Sequence, residues 1–157
     1  MLEAQEDSDT DVLALTTPVK GWTRIDATID SGSACSCVPF DMVAEGATIE
    51  PVDEGPQAYT SASSHKVEVV GRITPRCAFQ NGVEGPVELK VLKGLKRPLF
   101  SVDVLVRRGY DVIHKEGLSY MEHRETGAQF KIYSRNGVFV MPVWVDSAFL
   151  SRGQPSP

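Results

Sequence analysis

Ala27-Thr28-Ile29-Asp30-Ser31-Gly32-Ser33 is the stretch on which the reading of the whole chain turns. It closes a run in which Ile25, Ala27 and Ile29 alternate with Arg24, Asp26 and Thr28, the period-two pattern of a strand with one buried face. Asp30 falls at the C-terminal end of that strand, where the backbone has to turn. Gly32 can take a positive φ there without steric cost and lets another backbone come close. The Ser31 hydroxyl can bond neighbouring backbone and lock the loop. Taken alone the tripeptide reads as a turn, because Asp, Ser and Gly are all common turn residues, so its meaning has to come from the flanks.

The chain has 157 residues, enough for one domain with a core of its own. Apolar content of 41% and charged content of 24% are those of a globular protein. A net charge of −5 and a pI near 5.2 argue against direct nucleic-acid binding, because neutralising phosphates needs a basic face. No apolar run approaches the roughly 20 residues of a membrane span. Met1 to Asp7 has neither the basic nor the apolar region of a signal peptide. The three cysteines are an odd number, and Cys35 and Cys37 are too close in sequence to staple distant segments. A reducing, cytoplasmic setting suits that usage.

Residues 1–21 read as an acidic tail with a possible first strand at Val12–Leu15, broken by Pro18 and Gly21. A domain is expected over 22–145, with a polar tail at 146–157. Beyond Ser33, the residues Ala34, Cys35, Cys37 and Val38 read as small, buried, strand-like positions. Pro39 suits the first position of a short helix, Pro39 to Ala44, that Gly46 would end. Residues 46–57 read as a loop. Tyr59 to Gly71 then reads as a hairpin with Ser61-Ala62-Ser63-Ser64 at its tip and Val67 and Val69 on the returning strand. Asn81-Gly82 predicts a tight type I′ turn, and Val87 to Leu92 alternates like a half-buried strand. Leu99 to Gly109 carries helix punctuation: Ser101 to cap, Asp103 for the positive end, Arg107 and Arg108 for the negative end, and Gly109 as the C′ residue. Val138 to Val145 is the most apolar stretch, and its Pro142 belongs at an edge or a bend. That stretch is either a last core strand within one subunit or an edge that pairs across a two-fold axis.

Asp30-Ser31-Gly32-Ser33 after an apolar strand resembles the active-site loop of retropepsin-like aspartic proteases, Asp-Thr/Ser-Gly-Ala/Ser. The hairpin at 59–71 lies where that family carries a flap over the substrate, although its tip is serine-rich where the family often has glycine. The helix at 99–109, entered from an apolar strand end, matches the family's one well-formed helix, with Ser101 standing where glycine is usual. A Leu-Phe-Ser-Val entrance is similar to the copia-type retrotransposon branch. So is the order that follows, from Gly109-Tyr110-Asp111-Val112-Ile113 through Arg124-Glu125-Thr126-Gly127 to Arg135-Asn136-Gly137 and the apolar strand behind it. The similarity runs in ordered pieces from Trp22 to Met141. It implies a mostly β protein, a closed β-barrel of the acid-protease type with one short helix in the C-terminal half.

Hydrolysis of a peptide by a carboxylate pair needs one group as base for water and one as acid for the carbonyl oxygen. Two carboxylates about 3 Å apart cannot both ionise, so they share a proton. The chain has one Asp-Ser-Gly and no internal repeat; Asp26, Asp41, Asp53, Asp103 and Asp111 lack the following Ser/Thr-Gly. The second acid is therefore expected from a second copy, in a C2 homodimer. On this reading Asp30, Ser31 and Gly32 are catalytic and Ser33, Ser61, Ala62, Ser63 and Ser64 contact a peptide or polyprotein substrate. No cofactor, metal, nucleic acid or membrane partner is expected. Cys35, Cys37, Cys77, His65, His114 and His123 lack zinc-ribbon spacing, and neither Gly-x-Ser-x-Gly nor a phosphate-binding glycine loop is present. The competing reading is a non-catalytic barrel of the same descent that dimerises or binds peptides.

Overall fold

In a computed structural model, residues 20–52, 58–60 and 66–151 are described. Strand β1 (Trp22–Asp30) follows the alternation of its sequence, with Ile25, Ala27 and Ile29 buried. It is followed by β2 (Cys37–Pro39), β3 (Ala58–Thr60), β4 (Lys66–Ile73), β5 (Arg76–Ala78), β6 (Glu84–Pro86), β7 (Leu89–Lys93) and β8 (Leu99–Ser101). Helix α1 (Val102–Arg107) comes next, then β9 (Tyr110–Lys115), β10 (Leu118–His123), β11 (Gln129–Arg135) and β12 (Val138–Asp146). The protein is thus mostly β with one short helix in its C-terminal half.

The strands form one mixed sheet in the order β3-β4-β7-β2-β8-β1-β12-β11-β10-β9, with β5 and β6 attached at β12. This path is open. Strands β3 and β9 are its two ends, so the closed barrel expected from the sequence is not what the described residues form. Among the described residues, β3 and β9 each pair with a strand on one side only.

The longest pairing is β1 with β12, antiparallel from Trp22↔Asp146 to Thr28↔Val140. It carries Ile25, Ala27, Met141, Val143 and Val145 into a core shared with Phe100, Phe130, Met121 and Leu89. Burying each of the larger of these side chains stabilises by about 1.5–3 kcal/mol. Phe79 holds the middle of the core edge-on to Phe130, ring centroids 5.8 Å apart. The apolar strand at the chain's end is therefore a core strand within the subunit. Val12–Leu15, the possible first strand, lies outside the described residues.

Four further expectations are corrected. The helix at Pro39–Ala44 is a three-residue 3₁₀ turn, Phe40–Met42, because Pro39 stays in β2 and Val43 is drawn into a bridge with Leu150. Asn81-Gly82 is not a two-residue turn but part of a 3₁₀ turn, Gln80–Gly82. There Gln80 bonds both backbone groups of Lys131 on β11 (Lys131 N to Oε1, 2.9 Å; Nε2 to Lys131 O, 3.4 Å), and that tertiary contact overrides the local preference. Pro142 lies inside β12, opposite Asp26. It is tolerated between Val140, paired with β11, and Trp144, paired with β5, where the ladder on that side is already interrupted. The polar tail starts later than residue 146: Leu150 is fully buried, the Ala44 amide bonds Phe149 O at 2.7 Å, and Thr23 Oγ1 donates to Leu150 O at 2.7 Å.

Gly71 marks the closest backbone approach. A Cβ there would lie 2.4 Å from the Glu50 carbonyl oxygen and 2.6 Å from Ile49 Cγ2. The same carbonyl accepts the Arg72 amide at 2.8 Å, so it has no freedom to retreat. Gly71→Ala is expected to lower the unfolding free energy by about 2 kcal/mol or more. Urea unfolding would register this as a lower midpoint at unchanged slope, and an unchanged midpoint would refute the contact. A second expectation concerns alkaline pH. Burial, helped by Asp146 nearby, pushes the Cys77 thiol up from 9.0 to about 12. The unfolded chain ionises this thiol first, so its stabilisation is complete below pH 9 and is lost as pH climbs toward 12, by up to ~1.4 kcal/mol per unit. Unfolding curves at pH 8 and 10 should diverge less in Cys77→Ala.

Candidate functional site

The Asp30 loop is a crossing. Strand β8 lies between β1 and β2, parallel to β1 through Thr28↔Leu99, Ile29↔Phe100 and Asp30↔Ser101, and antiparallel to β2 at Cys37↔Leu99. Residues 31–36 must therefore leave the end of β1, pass over the end of β8 and re-enter the sheet on its far side. At that point β8 gives way to α1. The junction residue Ser101 sits directly under the crossing loop and is fully buried.

Three hydrogen bonds of Ser101 hold the crossing. Its hydroxyl donates to Ser33 O at 2.7 Å and accepts the Val104 amide at 3.2 Å, while its own amide donates to Ser36 Oγ at 3.1 Å. The helix N-cap expected of Ser101 is thus present, and the same oxygen also anchors the loop. Gly109, with φ of +101°, follows the helix end as expected of a C′ glycine. Ser36 in turn accepts the Lys90 amide through its carbonyl at 2.9 Å, tying the loop to β7.

Above this anchor Asp30 is half-buried, and Ser31 and Gly32 are exposed. The Gly32 amide donates to Asp30 Oδ1 at 2.8 Å. A Cβ at Gly32 would come within 3.3 Å of that oxygen, so glycine is what lets the amide close on the carboxylate. Oδ2 has no hydrogen bond or ion pair among the described residues. Ser33 turns its hydroxyl inward to Cys35 O at 2.6 Å. Ser61, Ala62, Ser63 and Ser64 lie outside the described residues. The hairpin that carries them is seen at its base, where β3 and β4 pair from Ala58↔Glu68 to Thr60↔Lys66.

Three other aspartates are occupied by arginines. Asp26 pairs with Arg24 at 3.0 Å and Arg135 at 3.2 Å, Asp103 with Arg107 at 2.9 Å, and Asp111 with Arg124 at 2.6 Å. Among the described residues the cysteines do not assemble with histidines: Cys77 is in the main core and Cys37 in a smaller cluster with Val67, Val69 and Leu92. Cys35 and Cys37 do meet, sulfur to sulfur at 3.3 Å. That contact, then burial, holds the Cys37 thiol well above its ordinary range. On the helix side of the loop lies a cleft of about 290 Å³, whose walls include Cys35, Glu88, Lys90, Arg107 and Arg108 but not Asp30.

Two parts of this site escape a reading of the sequence. Ser36 carries no motif, and the loop-anchoring role of Ser101 joins positions 65 and 68 residues apart. A buried serine at a strand-to-helix junction was the one available signal. Comparison of the chain with family models, curated proteins and solved structures returns no match.

Ser101→Ala removes one donor and one acceptor at a buried position, leaving Ser33 O and the Val104 amide unpaired. A loss of about 2 kcal/mol is expected, read by thermal or urea unfolding, with Ser101→Thr retaining part of it. If Ser101→Ala matched the parent, the anchor would be dispensable.

Proposed function

We propose that the protein is a retropepsin-like aspartic endopeptidase that acts as a homodimer on extended peptide segments, its own polyprotein among them. The observation that carries this reading is Asp30: a carboxylate at a strand end, held through one oxygen by the Gly32 amide, with the other free of partners among the described residues. A structural aspartate in a turn would have no need of so firm a foundation as the Ser101 anchor. Three other aspartates are taken by arginines, which favours a second Asp30 from a partner copy as the matching acid. The exposed Ser31 and the side-chain-free Gly32 leave room for that approach. One Asp30 would take the proton of the attacking water while its mate protonates the carbonyl oxygen. The similarity of the 99–109 segment to copia-type chains supports a polyprotein as substrate.

The test uses the full chain, a mixed-sequence peptide library and sedimentation equilibrium. The parent is expected to sediment as a dimer and to release new peptide termini. Asp30→Asn should keep the dimer and lose cleavage by about 10²- to 10⁴-fold or more. Cleavage that survives Asp30→Asn, or a parent that stays monomeric, overturns the proposal. A dimer that cleaves nothing from acid to neutral pH overturns it too, in favour of a peptide-binding module.

A further inference from the structure

The Cys35–Cys37 contact plays no part in the proposed hydrolysis, and its surroundings point to chemistry of their own. The two sulfurs are 3.3 Å apart, closer than unbonded thiols need to be and about 1.3 Å from the length of a disulfide. Cys35 is partly exposed and Cys37 is buried. Cys35 lies in a bend ahead of β2, so the sulfur that must move belongs to loop rather than sheet. It also lines the cleft of about 290 Å³, where Lys90, Arg108 and Arg107, the last paired with Asp103, stand against one lining acid, Glu88. Such a cleft draws in anions.

We propose that Cys35 and Cys37 form a thiol–disulfide exchange site for small anionic disulfides of the glutathione type. Cys35 gives up its proton and its thiolate attacks one sulfur of the disulfide. The sulfur–sulfur bond of the reagent breaks, and one glutathione leaves, taking a proton to become a thiol. Cys35 then carries a mixed disulfide. Cys37 loses its proton, attacks the Cys35 sulfur and expels the second glutathione as a thiol. Two protein thiols are oxidised to one disulfide and one reagent disulfide is reduced to two thiols, so the electrons balance. The Cys37 thiol is held high first by its hydrogen bond with the Cys35 thiol, a cause that disappears once Cys35 is in a disulfide; burial and Asp30 still oppose its ionisation and Lys90 favours it. Cys77, buried in the main core and remote from the cleft walls, should stay out of the reaction.

The experiment treats the reduced full chain with oxidised glutathione, quenches by alkylation and reads intact mass and peptide maps; its readout is independent of peptide cleavage. The parent should lose two hydrogens, retain no adduct and leave Cys77 alkylatable after unfolding. Cys37→Ala should stop at one glutathione on Cys35, and Cys35→Ser should leave Cys37 reduced on the same timescale. The double variant Arg107→Gln, Arg108→Gln should slow the reaction roughly threefold or more with oxidised glutathione but not with the neutral 2-hydroxyethyl disulfide. The proposal fails if the parent keeps a stable Cys35 adduct, if Cys35→Ser reacts as fast as the parent, or if the charge variant slows both reagents alike.

Discussion

Everything at the functional end of this molecule rests on one buried hydroxyl. A loop that joins two strands across the end of a third must pass over the point where that third strand turns into a helix. The side chain at the junction has to hydrogen-bond the loop on one side and the helix start on the other. Ser101 meets both demands. It donates to the loop at Ser33 O, accepts from the helix at the Val104 amide, and offers its own amide to Ser36 Oγ. Each bond nets only about 1 kcal/mol, but a buried group left unmade costs about 1–3 kcal/mol, so the three act as a condition on the local fold more than as a gain in stability.

From that anchor the placement of Asp30 follows. Its backbone is opposite Ser101 in the parallel register of β1 and β8, so the carboxylate stands at the rim of the crossing. The Gly32 amide then fixes its rotation. The rim residues Ser31 and Gly32 face solvent. A strand end, a helix start and a glycine turn thereby converge on one acid, and the reading of that acid as one half of a catalytic pair draws on this convergence rather than on the tripeptide.

Much of the frame was legible in the residues themselves. The alternation of β1, the capped helix behind Ser101 and the Asn136-Gly137 turn, with φ of 51° and 82° joining Arg135 to Val138, all follow from local rules that the tertiary structure leaves alone. Where the reading fails, a distant partner has intervened. Gln80 is claimed by Lys131, Val43 by Leu150, and Pro142 falls at a break in the ladder that depends on which strands flank β12. Closure of the sheet was no more readable, since an open path and a barrel use the same alternating strands and differ only in whether the end strands meet. The loop anchor was invisible for a related reason: hydrogen bonds between Ser33, Ser36 and Ser101 leave no periodicity.

The same six residues that present Asp30 on one side present Cys35 on the other. Ser33 links the two ends, since its carbonyl is held by Ser101 and its hydroxyl holds Cys35 O at 2.6 Å. A loop so short, pinned at its middle, cannot move at Cys35 without redistributing those bonds. A ligand or covalent change alters a distant group only through contacts that differ between the two states. In this loop the contacts open to such a change are the Ser33 hydroxyl on Cys35 O and the Ser101 hydroxyl on Ser33 O. The thiols and the carboxylate are thus joined by the short backbone from Asp30 to Cys35, held at Ser33 by the buried serine beneath it.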